Sequence, residues 1–168
     1  KMKKLHEKIE NHESTIGIIG LGYVGLPLAL RLSEESFKII GFDSDEKKIV
    51  TLKKNETYIK HITSDDIKQL NAKGFLPTSN FEKIANVDVI IVCVPTPLGP
   101  HNEPDLSYIR STLQAIQPFL KYDQLLILES TTFPGTTQEE LKPFIEGNKE
   151  GYDYSSNELK FKIGINFY

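Results

Sequence analysis

Short apolar runs and longer mixed stretches take turns along this chain. Ile16-Gly17-Ile18-Ile19, Phe37–Phe42, Val87–Val94 and Leu125–Leu128 are brief and apolar, as strands buried in a parallel sheet are. Val87–Val94 (VDVIIVCV) is the most hydrophobic of them and predicts a central strand covered on both faces. Phe75–Ser79 predicts a further short strand, and Lys160–Tyr168 resumes strand character. The intervening segments predict helices. Leu26, Leu28, Leu30 and Leu32 sit among small and polar residues after the first strand. Acids at Asp45 and Glu46 open a helix running to about Lys54, and Ser64-Asp65-Asp66 reads as the next N-cap, with Ile67 and Leu70 on the apolar face and Gly74 as breaker. Asn80 starts another helix. Asp105 caps a long one whose stripe is Ile109, Leu113, Ile116 and Leu120. Pro134-Gly135 turns the chain, and Thr136–Glu140 offers overlapping capping boxes for a last helix. Gly147–Leu159 is polar and predicts a mobile loop. Leu5 and Ile9, four apart, predict a short helix leaning on the domain edge. Strands alternating with helices imply an α/β fold, a doubly wound, mostly parallel sheet with helices on both faces. Residues 1–14 form a helical extension and 15–168 one domain.

The first strand leads into Gly20, Gly22 and Gly25 in GxGxxG register, and a helix follows. Gly20 permits the tight turn, Gly22 lets a diphosphate approach the backbone, and Gly25 lets the helix pack close on the sheet. The helix N-terminus then presents N–H groups and a positive dipole end to phosphates. Asp43, 18 residues past Gly25, ends the second predicted strand. There a carboxylate accepts the ribose hydroxyls of an adenosine and repels a 2′-phosphate. The combination points to a Rossmann-type domain binding NAD rather than NADP.

Composition narrows the alternatives. A chain of 168 residues suits about one domain. Net charge is −3 with lysines and arginines spread along the sequence, which gives no electrostatic case for nucleic acid or an acidic membrane surface. No apolar run approaches the ~20 residues of a membrane span. A single cysteine excludes an internal disulfide and fits a reducing cytoplasm.

Further candidates are weaker. Cys93 invites a nucleophile hypothesis, but a free cysteine inside an apolar strand behaves as a small hydrophobe, and no cation lies near in sequence to lower its pKa. His6 and His12 lack the i, i+4 spacing of helical metal ligands, so no metal site is expected. Lys48, on the first turn after Asp43, either reaches the adenosine half of a cofactor or is a solvated surface lysine. Pro95-Thr96-Pro97 ends a strand abruptly, where α/β sheets bind ligands, and its rigid backbone suits a wall beside a cofactor as well as a plain connection. His101, in the same loop, reads as solvated. After Glu129-Ser130 at the end of a strand, the hydroxyls of Thr131 and Thr132 could hold a water or the nicotinamide, or serve as local turn residues.

Together these residues resemble the N-terminal NAD domain of the UDP-glucose/GDP-mannose dehydrogenase family. The resemblance rests on GLGYVGLPLA at 20–29, GFD at 41–43, VPTPL at 94–98, EPDLSYI at 103–109 and ESTTFPGTT at 129–137. It spans about Thr15 to Pro143 and is nearest to bacterial enzymes acting on UDP-N-acetylhexosamines, whose N-terminus also carries a leading helix. It implies oxidation of the C6 alcohol of a UDP-sugar (UDP-N-acetylglucosamine, UDP-N-acetylgalactosamine or UDP-glucose) to the carboxylate with two NAD+, in polysaccharide biosynthesis, by a full-length homo-oligomer. Matched by motif, Gly20, Gly22, Tyr23, Val24, Gly25 and Asp43 fall on cofactor contacts, and Lys48 on a basic residue at the adenosine side. Pro95 and Thr96 fall on the loop beside the cofactor, and Ser130 and Thr131 near the nicotinamide. Thr131 matches a threonine expected to position water. The family's catalytic cysteine, lysine and asparagine belong to a central domain, and Cys93 does not match that cysteine. This stretch is therefore expected to bind NAD+ without turnover. Two other readings are a stand-alone NAD(H)-sensing module and a dehydrogenase of the 6-phosphogluconate or hydroxyacyl-CoA type. The VPTP and ESTTFPGTT motifs argue against the last.

Overall fold

A computed structural model of the chain describes residues 2–99, 104–132, 136–137 and 141–145. Among the described residues, five parallel strands form one sheet in the order β3-β2-β1-β4-β5, with β1 Thr15–Ile19, β2 Lys38–Phe42, β3 Leu76–Thr78, β4 Val89–Val92 and β5 Leu125–Leu128. The chain winds outward from β1 through β2 to β3, then crosses to β4 and winds the other way. That reversal makes the carboxyl ends of β1 and β4 the switch point where such sheets hold ligands. Val87–Val94 contains β4, buried throughout as expected, though β1 and not β4 is the middle of the five described strands.

Alternation along the strands divides the core in two. Ile16, Ile18, Ile39, Val89 and Ile91 face one layer, packed with Leu26 and Ala29 of α2 (Gly25–Glu34), Ile49 and Leu52 of α3 (Glu46–Lys53), and Ile67 and Leu70 of α4 (Ser64–Ala72). Leu5 and Ile9 of α1 (Met2–Glu10) lean on the same layer. Ile19, Phe42, Ile90, Val92 and Leu126 face the other, under Ile84 of the 3₁₀ segment Phe81–Asn86 and Ile109, Leu113 and Ile116 of α5 (Ser107–Ile116). Helical layers on both faces of a parallel sheet are the architecture that the strand–helix alternation implies.

Boundaries moved where local hydrogen bonds decide them. The cap of α4 is Thr63, not Ser64: the Thr63 hydroxyl accepts from the Asp66 N–H at 3.1 Å, and Asp66 accepts in return from the Thr63 N–H at 2.7 Å. The Thr63 N–H and then the Thr63 hydroxyl, both donating to the Asp66 carboxylate, hold it below its usual pKa. Asp105 does accept from the Ser107 N–H at 2.9 Å, yet the cap position itself is Leu106. Helix α5 ends at Ile116, because Gln117–Phe119 tightens into a 3₁₀ turn around Pro118, and Leu120 is buried beyond it. The extension is tied down by Asp88, which accepts from Lys8 Nζ at 2.7 Å and from the Thr15 N–H at 2.9 Å. A short helix α6 covers Lys142–Ile145. His101, Pro134-Gly135, the Gly147–Leu159 tract and the strand expected at Lys160–Tyr168 lie outside the described residues.

Candidate nucleotide site

The carboxyl ends of β1 and β2 are stitched together at the glycine turn. The Gly20 N–H donates to the Phe42 carbonyl at 2.8 Å, and the Leu21 N–H donates to Asp43 Oδ2 at 2.9 Å. Gly20 has φ +92°, a left-handed backbone open to glycine, and a Cβ there would lie 2.6 Å from the Cys93 carbonyl oxygen. At Gly25, the first residue of α2, a Cβ would lie 1.8 Å from the Gly20 carbonyl oxygen. Only hydrogen fits at either position. Gly22 is the opposite case. A Cβ built there meets nothing within 4 Å, so this backbone faces open space in front of the α2 N-terminus. Gly20 and Gly25 are thus closed to any side chain, whereas the backbone at Gly22 is open. Tyr23 and Val24 flank that opening and are exposed.

Asp43 is buried, with 7 % of its surface accessible, and its acceptors are already well used. Besides the Leu21 N–H, it accepts from the Asp45 N–H at Oδ1 (3.0 Å) and from Lys48 Nζ at Oδ2 (2.9 Å). Lys48 is therefore an ion-pair partner of Asp43 and not a freely solvated lysine. Sequence reasoning missed a further member. The Tyr58 hydroxyl donates to the Leu21 carbonyl at 2.5 Å, and Lys48 Nζ lies 5.9 Å from the centre of the Tyr58 ring. Burial, then the charges of Asp43 and Asp45, push the Tyr58 pKa up, so its hydroxyl stays a donor.

The ends of β4 and β5 form the other half. Ser130 Oγ donates to the Val94 carbonyl at 2.7 Å, and Thr96 Oγ1 donates to the Thr131 carbonyl at 2.5 Å. Ser130 and Thr96 thus spend their hydroxyls on a clasp between the two loops, while the Thr131 residue stays exposed with its own hydroxyl outside that clasp. Cys93 lies behind the glycine turn, buried, its thiol pushed up to about 11 by burial and the Glu129 charge. That agrees with a structural cysteine. Among the described residues no cluster of His, Cys, Asp and Glu could hold a metal, and no helix is long and apolar enough to cross a membrane.

Residues 14–166 match the NAD binding domain of the UDP-glucose/GDP-mannose dehydrogenase family. The chain belongs to that family. Protein CapL of Staphylococcus aureus is 38% identical over 131 residues, covering 78% of this chain and 30% of that protein. The UDP-N-acetyl-D-glucosamine 6-dehydrogenase of Salmonella typhi is 35% identical, over 79% of this chain and 31% of its own length. In three dimensions, the UDP-N-acetyl-mannosamine dehydrogenase Cap5O of S. aureus superposes with a TM-score of 0.77 at 28% identity, over 92% of this chain and 35% of that one. The chain thus spans about a third of the length of these relatives, and its part is the family's NAD-binding domain. The Rossmann-type fold and the NAD assignment both follow. Of the residues matched by motif to this dehydrogenase family, Gly20, Gly22, Tyr23, Val24, Gly25, Asp43 and Lys48 gather around the β1–β2 ends. Pro95, Thr96, Ser130 and Thr131 gather around the β4–β5 ends.

Proposed function

We propose that this chain is the NAD+-holding part of an enzyme that oxidises the C6 alcohol of a UDP-sugar to a carboxylate. The observation that carries the reading is the pairing, at one switch point, of an open glycine backbone at Gly22 with the buried Asp43 carboxylate, inside a domain of this family. Gly20, Gly22, Tyr23, Val24 and Gly25 would hold the diphosphate against backbone N–H groups at the α2 N-terminus. Asp43 keeps acceptor capacity for a ribose hydroxyl, and the Lys48 ammonium has donors to spare beside it. Pro95, Thr96, Ser130 and Thr131 would wall the nicotinamide end, with the Thr131 hydroxyl available to position a water. Bound nicotinamide supplies the hydride acceptor. This chain's residues would bind and orient it.

The names of the relatives support the substrate class, since several are named for UDP-N-acetylhexosamines. A UDP-N-acetylhexosamine is the favoured substrate of the whole enzyme, with two NAD+ consumed per carboxylate formed. This stretch alone is expected to bind NAD+ and not to turn over sugar. Calorimetric titration with NAD+ and then NADP+ tests the reading. NAD+ binding that is lost in Asp43→Ala supports it, and preference for NADP+ or binding of neither counts against it. Turnover of any UDP-sugar by this chain alone would overturn the division of labour.

A further inference from the structure

The Leu21–Gly22 peptide sits between the two glycines that shape the diphosphate loop, and both polar groups of Leu21 are held from outside the loop. Its N–H donates to Asp43 Oδ2, and its carbonyl accepts from the Tyr58 hydroxyl at 2.5 Å. Asp43 Oδ2 also binds Lys48, whose ammonium lies over the Tyr58 ring, so the four residues close a ring. In a trans peptide the carbonyl and the following N–H point in opposite directions, and the described residues contain no cis bond. A carbonyl drawn toward Tyr58 therefore sends the Gly22 N–H the other way. Gly22 is also where the loop opens, with nothing within 4 Å of its Cβ position.

We infer that Tyr58 is a positioning residue for the diphosphate loop: its hydroxyl holds the Leu21 carbonyl and thereby turns the Gly22 N–H toward the bound diphosphate. The inference rests on the nucleotide-binding reading above. It makes the connection between α3 and α4 part of the cofactor site, although Tyr58 touches no cofactor atom itself. The same ring joins the diphosphate loop to the adenosine corner, so the two ends of the adenylate are set by one network.

The test titrates the wild-type chain and Tyr58→Phe with NAD+, ADP and adenosine. The variant keeps the ring and loses only the hydroxyl. Binding of NAD+ and ADP should weaken about tenfold, the order expected when one hydrogen bond to a charged group is misaligned. Adenosine, which has no phosphate, should bind with less than about a twofold change. A role limited to stability would weaken all three alike, and either that pattern or unchanged ADP binding overturns the inference. Failure of the wild type to bind NAD+ would instead sink the nucleotide reading, whatever Tyr58 does. A second measurement needs no variant: on adding ADP, the Gly22 amide proton of the wild type should move strongly downfield in NMR spectra. An unmoved Gly22 amide, with ADP bound, overturns the inference as well.

Discussion

The Lys48 ammonium lies 2.9 Å from Asp43 Oδ2, so the acid proposed to read the ribose carries its own counterion. A lone carboxylate would repel a 2′-phosphate, but a neutralised one repels it less. Exclusion of NADP+ is then a balance between the pair and not the work of Asp43 alone. Lys48→Met should lower NADP+ affinity more than NAD+ affinity, raising the NAD+/NADP+ preference by several-fold, about what one half-exposed charge is worth at this range. Paired calorimetric titrations measure it. An unchanged or reduced preference would show that Lys48 does not moderate Asp43.

Gly22 and Gly25 lie three residues apart and should respond in opposite ways to alanine. A Cβ on Gly25 would stand 1.8 Å from the Gly20 carbonyl oxygen, backbone against backbone, with no flexible side chain to give way. Gly25→Ala should lose at least the ~1–3 kcal/mol typical of overpacking, read as a lower thermal midpoint. Gly22 is free of left-handed φ, and its Cβ position is empty, so Gly22→Ala should fold within ~0.5 kcal/mol of wild type. It should nevertheless weaken NAD+ binding, since the methyl fills the space the diphosphate needs. Melting curves and titrations on both variants separate fold from site.

Cys93 should be inert in the folded chain. A thiol raised to about 11 by burial leaves about one thiolate in a thousand at pH 8. Alkylation by iodoacetamide should therefore track unfolding, and Cys93→Ala should bind NAD+ as the wild type does. The raised pKa also fixes a direction with pH. Its contribution to stability is complete below the unfolded value of 9.0 and is lost as pH rises from there through about 11. Over that window the wild type should lose stability faster than Cys93→Ala, as equilibrium unfolding at several pH values would reveal.

What the sequence made legible is what periodicity and spacing encode. β5 falls on Leu125–Leu128 as read, and Asp43 ends up against the glycine turn, because a strand's apolar run and a glycine's conformational freedom are local properties. The α4 cap was misplaced by one residue because Thr63 and Ser64 are both competent caps, and only the reciprocal bond with Asp66 chooses between them. Lys48 could be placed near Asp43, but whether it faces solvent or the acid depends on a side-chain torsion that composition does not carry. Tyr58 was not legible at all. It sits in a polar connection 37 residues from the carbonyl it holds, and a tyrosine there is indistinguishable in sequence from a surface residue. Ser130 and Thr96 are legible as residues of strand-end loops, while their bonds to Val94 and Thr131 depend on β4 and β5 being neighbours.

That clasp between the β4 and β5 loops makes the last prediction. Thr96 Oγ1 reaches the Thr131 carbonyl, and Ser130 Oγ reaches the Val94 carbonyl, so each loop holds the other by a side chain bonded to backbone. Neither bond involves the glycine turn, which is pinned separately by Phe42, Asp43 and Tyr58. Loosening the clasp should therefore disturb the nicotinamide end and spare the adenylate end. Thr96→Val keeps the shape of the side chain and removes its donor, and Ser130→Ala removes the other. Each should weaken NAD+ by a few-fold to about tenfold, in keeping with one lost hydrogen bond, while ADP binds as before. Thr131→Val, by contrast, leaves the clasp intact, since its carbonyl and not its hydroxyl is the acceptor. Its effect on NAD+ should be smaller than that of Thr96→Val and should appear instead as slower turnover in the whole enzyme. Equal losses of ADP and NAD+ in Thr96→Val would mean that the two halves of the site are one mechanical unit.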